Sequence, residues 1–251
     1  MAISLSSIRK SQFKPPIIVI HGTCGIGKST FASCAPNPVF LPIEEGLGGL
    51  SVDAFPLISS WADLMEAMGS LYTEDHQYQT MVIDSLSALE LIINSQVAKD
   101  NNKSNIEDIP YGRGYAFAVD YWKQLIEGIS ALRDKKNITP ILIAHTEITR
   151  FDSPEIDSYD RYVISLHKRA VTILNERADI IGFANWRTHV VKTDAGFNQK
   201  QSRGVGTGER LLHLVERPAY IAKNRYGMPE TIPLDWSAFI AAMSLAQTKT
   251  Q

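Results

Sequence analysis

The chain has 251 residues, 44% of them hydrophobic and 21% charged, a profile that fits one large α/β domain or two small ones. Its formal net charge of −2 gives no global basic field, so a nucleic-acid site would have to be a local patch. The longest apolar runs are far short of the roughly 18 residues of a membrane helix, and no leader opens the chain, so we expect neither a membrane span nor secretion.

Residues 1–15 are predicted to form a loose, largely polar arm ahead of the domain. Phe13 is an isolated aromatic residue in this arm. Because exposed aromatic residues are scarce, Phe13 is a candidate for docking onto a neighbouring subunit. The alternative is that the arm simply frays.

A phosphate-binding loop follows the first predicted strand. Residues 17–20 form a short β-branched run, which is typical of a buried strand in a parallel sheet. The next residues have the G-x-x-x-x-G-K-[ST] spacing and lead into a helix-compatible stretch. Lys28 would reach the β- and γ-phosphates of a nucleotide, and Ser29 would offer its hydroxyl to Mg²⁺. The predicted nucleotide-binding residues are Gly22, Thr23, Cys24, Gly25, Ile26, Gly27, Lys28, Ser29 and Thr30.

Two further observations concern this loop. A Gly-rich turn could contain Gly-Lys-Ser by chance, but the strand before it and the helix after it favour nucleotide binding. Cys24 and Cys34 are the only cysteines, and neither has metal-ligand spacing. Because a disulfide at Cys24 would disturb the loop, we expect a reducing cytoplasm.

The second predicted strand, Val39–Ile43, ends at two carboxylates, Glu44 and Glu45, beside a Gly-rich loop. Open α/β sheets place their chemistry at the carboxyl ends of strands, so these acids are candidate catalytic residues. Acids that only solvate the strand end are the alternative. Further on, Ser60 followed by Asp63 predicts the N-terminus of a helix with a capping box.

The third predicted strand, Thr80–Asp84, ends in an aspartate. An apolar strand that leads to an aspartate downstream of a phosphate loop predicts that Asp84 holds Mg²⁺ together with Ser29. A helix over Leu86–Val97 follows. A polar, irregular segment over residues 100–114 and a helix over Tyr115–Lys135 come next.

The fourth predicted strand, Pro140–His145, ends in a histidine. His145 is a candidate sensor of the γ-phosphate, and a histidine bonded to the backbone is the alternative. The segment 146–169 interleaves basic and aromatic residues, the mixture that neutralises phosphates and stacks bases. A surface lid with ordinary charges is the alternative there. The candidate DNA-binding residues are Arg150, Tyr159, Arg161, Tyr162, Lys168 and Arg169.

The rest of the chain predicts a fifth strand and a hairpin. The strand covers Asp179–Trp186, and a Gly-rich loop covers Gly196–Gly208. The hairpin joins Leu211–Glu216 to Ala219–Ala222. We expect a domain core over residues 16–234, with a closing helix and polar tail over 235–251.

The order of these motifs resembles the RecA-like recombinase core, in particular the short phage-encoded RecA-core ATPases linked to single-strand annealing. The resemblance covers Pro16–Leu234 and rests on the phosphate loop, VFLPIEEGL, TMVIDS, ILIAH and the segment Ala222–Gly227. It implies an α/β fold: a single RecA-like P-loop NTPase domain with a mostly parallel central sheet flanked by helices and a C-terminal β-hairpin. It also implies ATP and Mg²⁺ as ligands.

The resemblance also implies roles for residues. Glu44 would position the attacking water, and His145 would take the sensor place that glutamine usually holds. Lys223 and Arg225 would act on the ATP of a neighbouring subunit. In a strand-like segment these two cations project on the same side, with no acidic cluster in that segment to neutralise them. Segments 100–114 and 146–169 would be the two DNA-facing loops.

Together these features predict an ATP-hydrolysing recombination protein that binds single-stranded DNA in the cytoplasm of a bacterial host. Without the polymerisation and carboxy-terminal domains of bacterial RecA, we expect a homo-oligomeric ring or short filament. A single-strand-binding protein is a candidate further partner. The alternatives are a RecA-fold ATPase that acts on a protein, such as a helicase-loader-like factor or a clock-type kinase, and a nucleotide-dependent scaffold. Glu44 argues against the scaffold, because a switch without hydrolysis needs no water-positioning acid.

Overall fold

The computed structural model describes residues 4–8, 13–154, 157–194 and 200–248. Its strands are β1 (Ile18–Gly22), β2 (Pro38–Pro42), β3 (Asp53–Ala54), β4 (Thr80–Asp84), β5 (Thr139–Phe151), β6 (Tyr159–Ile164), β7 (Ile180–Asp194), β8 (Lys200–His213), β9 (Lys223–Asn224) and β10 (Thr231–Pro233). Its helices are α1 (Lys28–Ser33), α2 (Trp61–Thr73), α3 (Leu86–Asp100), α4 (Gly114–Lys136), α5 (Lys168–Arg177) and α6 (Trp236–Thr248).

The strands form one open sheet of ten strands in the order β10-β8-β7-β1-β5-β4-β2-β3, with β6 paired to β5 and β9 paired to β7. The path from β7 to β3 is parallel throughout. The remaining pairings are antiparallel. Because parallel strands end at the same edge, the residues that follow β1, β2, β4 and β5 converge there. The predicted single α/β domain with a mostly parallel sheet is confirmed.

Helices cover both faces of the sheet because its central strands are apolar on both sides. In β1, Val19 faces the layer of α2, α3, α4 and α5, whereas Ile18 and Ile20 face the layer of α1 and α6. This alternation is the two-residue period of a strand. Phe239 of α6 packs edge-on against Phe31 of α1, with ring centroids 5.7 Å apart, so the closing helix belongs to the domain core.

Two helices begin at capping serines. The Ser60 hydroxyl accepts a hydrogen bond from Asp63 N at 3.1 Å, and the Ser85 hydroxyl accepts one from Ala88 N at 3.3 Å. The Asp63 carboxylate accepts from Ser59 N rather than from the cap residue, so the predicted capping box closes one residue early. The cap of α3 directly follows β4 and fixes the strand end that carries the aspartate of the site.

The carboxy-terminal hairpin differs from the prediction. β8 occupies most of the expected Gly-rich loop and pairs antiparallel with β7, while residues 219–222 form no strand. Residues 196–199 of that loop lie outside the described residues. β10 pairs with the end of β8 in place of the expected partner. Glycine content misled the prediction because glycine is permissive rather than excluded in extended backbone.

The segment 146–169 also has more regular structure than predicted. β5 continues to Phe151 and pairs antiparallel with β6, and the segment ends in the first turn of α5. The sequence did not predict α5 because its first turn carries two cations, Lys168 and Arg169, which oppose the helix dipole.

Phe13 is 61% exposed, and its ring lies 6.1 Å from the Tyr226 ring of its own chain. Its docking onto a neighbour therefore stays a prediction, and parts of the arm lie outside the described residues. Among the described helices, none is both long and apolar enough to cross a membrane.

Candidate functional site

The phosphate loop lies at the carboxyl edge of the sheet, between β1 and α1. Gly22 approaches β7 so closely that a Cβ atom there would lie 2.2 Å from Ala184 O. Gly27 has φ 102°, a left-handed conformation that favours glycine. Ile26 is fully buried in the core, so only its backbone can serve a ligand. The loop therefore offers backbone N–H groups rather than side chains along most of its length.

The Lys28 side chain is folded across this loop. Its Nζ donates hydrogen bonds to Gly22 O at 2.8 Å and to Thr23 O at 3.0 Å. Burial lowers the pKa of Lys28, while nearby acidic groups oppose that shift. A buried ammonium is stabilised most by a full negative charge, which two carbonyls do not supply. Lys28 is thus positioned to bind a phosphate held by the loop.

Ser29 and Asp84 form the second element of the site. The Ser29 hydroxyl donates to Asp84 Oδ2 at 2.6 Å. Burial raises the pKa of Asp84, and the Ser29 hydrogen bond opposes this shift. A hydroxyl beside a carboxylate fits Mg²⁺, which takes few protein ligands and completes its shell with substrate phosphates. The described residues contain no larger cluster of His, Cys, Asp and Glu that could hold a metal.

Glu44, which lies just after β2, meets His145 from the middle of β5. Glu44 Oε1 lies 3.0 Å from His145 Nε2, and the His145 backbone N–H donates to Ser87 Oγ at 3.0 Å. Glu44 is half-buried, whereas Glu45 is exposed. Both acids line a cavity of about 440 Å³. The cavity also brings together the predicted residues Cys24, Gly25, Gly27, Lys28, Ser29, Thr30, Asp84 and His145.

His21 was not among the residues predicted from the sequence. This side chain is fully buried in β1, and burial lowers its pKa to about 4. Nε2 donates to Ile221 O at 2.8 Å, and Nδ1 accepts from the Thr146 hydroxyl at 2.6 Å. The neutral ring therefore ties the phosphate-loop strand to β5 just beyond His145. A histidine in an otherwise apolar strand was the available signal.

Four of the candidate DNA-binding residues lie where a ligand could reach them. Arg150, Lys168 and Arg169 are exposed. Tyr159 is half-buried against the Phe151 ring, with centroids 5.4 Å apart. These residues lie on the β5–β6 hairpin and at the start of α5.

The other two candidates, Arg161 and Tyr162, have contacts inside the protein, and their role in DNA binding stays a prediction. Arg161 is 9% exposed and donates hydrogen bonds to the Glu216 carboxylate and, at 3.3 Å, to Tyr220 O. Tyr162 stacks on Phe183, with ring centroids 5.1 Å apart. Because the guanidinium and the ring are occupied inside the protein, neither is presented to DNA in this conformation.

Lys223 and Arg225 lie at the carboxyl end of α5. Lys223 donates to two carbonyls there, one of them Ala178 O at 2.8 Å. Arg225 donates to Glu176 O at 2.6 Å and to Asp179 Oδ1 at 3.0 Å. Cations at this end complete the hydrogen bonding of the last carbonyls and complement the helix dipole. The acid that neutralises Arg225 comes from a distant segment of the chain.

The two predicted DNA-facing segments meet at their ends. Tyr115, just after the first segment, stacks on His167 of the second, with centroids 4.3 Å apart and planes at 4°. Tyr111 is 98% exposed, and Arg113 beside it is exposed too. The stack thus holds the end of the first segment against the end of the second.

Comparison with known proteins agrees with this geometry. A family model described as AAA domain matches residues 14–226. The chain is also 26% identical over 135 residues to the SPbeta prophage-derived uncharacterized protein YorG of Bacillus subtilis strain 168. The aligned stretch covers 51% of this chain and 40% of that relative, so the chain matches less than half of the relative's length.

Proposed function

Because this chain belongs to the AAA domain family of P-loop ATPases, we propose that it is an ATP-hydrolysing oligomer that binds single-stranded DNA during recombination by strand annealing. Its similarity to a prophage-derived protein supports a phage origin. The ATPase core follows from the family. The DNA substrate, the assembly and the reaction on DNA are parts of the proposal.

The chemistry of hydrolysis would use the side chains around the cavity. Lys28 would bind the β- and γ-phosphates, and Glu44 would orient the attacking water and accept its proton. Ser29 and Asp84 would hold Mg²⁺, which neutralises phosphate charge when it is bound. His145 would sense the γ-phosphate, since it already contacts the Glu44 carboxylate at 3.0 Å.

One observation carries the proposal that nucleotide state controls DNA. β5 is a single continuous strand, with the cavity residue His145 in its middle and the exposed Arg150 in its distal half. A shift of His145 on ATP binding or hydrolysis would therefore move the hairpin directly. His21 supports this linkage, because it bonds to Thr146, the next residue of the same strand.

The trans role of Lys223 and Arg225 is part of the same proposal. Both side chains are engaged with the end of α5, so they would have to leave these contacts to reach the nucleotide of a neighbour. Assembly would supply the competing negative charge. The Arg225 side chain is 47% exposed in its ion pair with Asp179, so such a charge can reach it.

A specific observation favours the alternative, an ATPase that acts on a protein. Two large apolar side chains of the hairpin are exposed, Ile148 by 61% and Phe151 by 40%. Exposed apolar side chains on the same strand suit a protein partner. The two functions make different predictions for oligonucleotide binding.

Fluorescence anisotropy with a labelled single-stranded oligonucleotide tests the proposal. Replacing Lys168 or Arg169 with Gln should flatten the salt dependence of binding by ~0.7 per lost phosphate contact. Tyr159→Ala should weaken binding by roughly 1–3 kcal/mol with little change in that slope. Lys123→Gln on α4 is the control, since Lys123 is an exposed cation outside the two predicted DNA-facing segments.

Binding should be tighter with ATP than with ADP, and His145→Ala should remove that difference while ATP still binds. By linkage, DNA should tighten ATP binding by the same factor. If the hairpin variants bind DNA like the unmodified chain, the hairpin is not a DNA site and the protein-partner function replaces this one.

A further inference from the structure

A second cation lies against the phosphate loop, on the outside of it. Arg210 of β8 is so near that a Cβ atom at Gly27 would lie 2.5 Å from its Nη1 and 3.6 Å from its Cζ. The guanidinium therefore rests directly on the loop residue that precedes Lys28. No sequence motif pointed to Arg210, because it is separated from the loop by most of the chain.

The sheet explains why Arg210 reaches this place. Ala184 of β7 pairs with both Gly22 of β1 and Leu212 of β8, so Leu212 is level with the start of the loop. Arg210 comes two residues farther toward the carboxyl edge, on the same face as Leu212. That face carries α1, since Leu212 and Phe31 belong to one core cluster. The strand register thus directs Arg210 toward the N-terminus of α1.

The charge of Arg210 is not used inside the protein. The side chain is exposed, and no described residue forms a hydrogen bond or an ion pair with its guanidinium. Arg210 lines a cleft of about 450 Å³ together with two acids, Glu209 and Asp235. Glu209 pairs with Arg187 at 2.8 Å, and Asp235 accepts from Ala238 N at the start of α6. Both acids therefore already have partners.

We propose that Arg210 is a nucleotide-binding residue that acts in cis and contacts the phosphates held by the loop from the side opposite Lys28. A guanidinium makes charge-assisted hydrogen bonds to phosphate oxygens, and its planar fork suits two of them at once. Lys28 already donates hydrogen bonds to backbone carbonyls. Arg210 would add a second cation that breaks no hydrogen bond of the described residues when it turns to the ligand. This inference rests on the ATPase part of the proposed function and not on DNA binding.

Calorimetric titration of the full chain with MgATP and MgADP, without DNA, tests this role. Arg210→Met replaces the guanidinium with an uncharged side chain that has a similar unbranched stem, and should weaken binding of both nucleotides roughly 10–100-fold. Arg210→Lys should lose less, because the charge remains. The loss should shrink at high salt, since part of it is Coulombic. Thermal unfolding without nucleotide should be unchanged in both variants.

Lys123→Gln is the control, because it removes an exposed cation of α4, which lies on the opposite face of the sheet from α1. It should bind nucleotide within about twofold of the unmodified chain. Unchanged affinity in Arg210→Met would overturn the inference. Equal losses in Arg210→Met and Lys123→Gln would also overturn it, because the effect would then come from the overall charge of the protein rather than from a contact of Arg210. A failure of DNA binding would leave this test unaffected.

Discussion

The cavity that the phosphate loop lines differs from the carboxyl end of α5 in one respect: its charged side chains border a space that a ligand can enter, whereas those at the end of α5 are held by contacts with their own chain. At the cavity, Glu44 contacts His145 and Ser29 contacts Asp84 around an open space of about 440 Å³, so a ligand can enter among them. At α5, the cationic segment Lys223–Arg225 is bound by carbonyls and a carboxylate of its own chain. The first region is prepared for a ligand, and the second must give up contacts before it can reach one.

This difference shows that the position of a residue at a strand end predicts its place in the site, but does not predict whether its charge is free for a ligand. Residues that follow parallel strands converge because the sheet brings their ends to one edge. The availability of a cation depends instead on acids and carbonyls that arrive from elsewhere in the chain. A basic residue in a motif is therefore a weaker prediction than an acid at a strand end.

The largest expected effect concerns Arg225, and it would show that a cation bound at the end of α5 also serves a ligand. If Arg225 stabilises transition-state charge in a neighbouring subunit, Arg225→Ala should reduce ATP turnover by ~10³-fold or more. Mixing this variant with Lys28→Ala, which is expected to be inactive for a different reason, should restore part of the activity. Steady-state phosphate release by the mixture is the measurement.

Light scattering must confirm that both variants still assemble. If they assemble and the mixture has no activity, Arg225 serves its own helix alone. In that case Arg225→Ala should cost only about 1 kcal/mol of unfolding free energy, the usual worth of a cation at a helix end.

A second prediction concerns His21, which joins the two regions through Thr146 and Ile221. Its folded pKa of about 4 lies below the unfolded value of 6.5, mainly because of burial, with Lys28 adding to the shift. The neutral ring therefore contributes stability that is complete above pH 6.5 and is lost as the pH falls toward 4. The loss should reach about 3 kcal/mol.

Urea unfolding between pH 7.5 and 4.5 measures this loss. His21→Asn should be less stable at pH 7.5, and its unfolding free energy should fall less steeply over the same range. The other acids and histidines titrate in both proteins, so the difference between the two pH profiles comes from His21. Parallel pH profiles would contradict a buried neutral His21.

A third prediction sharpens the account of the cavity. Glu44→Gln should leave ATP binding intact and reduce hydrolysis by ~10²-fold or more, the range for losing a general base. Glu45→Gln is the matched control and should be much milder, since Glu45 is exposed and does not contact His145 in the structure. Single-turnover hydrolysis and nucleotide titration together check both statements. A reversed order of the two effects would show that Glu45 positions the water.

The smallest expected effects distinguish Arg161, a cation bound inside the protein, from Lys168, a cation exposed at the start of α5. Arg161→Met should lower the unfolding free energy by roughly 1–3 kcal/mol, because the exposed Glu216 and the carbonyl of Tyr220 lose a charged partner. The folded Arg161→Met variant should bind DNA with the same affinity as the unmodified chain. Lys168→Met should show the opposite pattern, unchanged stability and weaker DNA binding. Urea unfolding and anisotropy on both variants would expose an error in either assignment.

The sequence predicted the phosphate loop, Glu44, Asp84 and His145, because each of them comes directly after a short apolar run of residues. It missed β8 as a long strand, because glycines interrupt its pattern. It also missed the partners of two cations, since Arg161 and Glu216 are 55 positions apart and Arg225 and Asp179 are 46 apart. Such pairs depend on how distant segments pack, and local spacing carries no information about them. Arg210 was missed for the same reason.

The central claim is that ATP hydrolysis at this cavity is coupled to single-stranded DNA and to assembly. The most direct test is the ATPase rate with and without a single-stranded oligonucleotide, with light scattering on the same samples. We expect DNA to accelerate hydrolysis and to promote assembly in ATP, with neither response in Lys28→Ala. Hydrolysis at the same rate with and without DNA, together with no change in assembly, would contradict the claim.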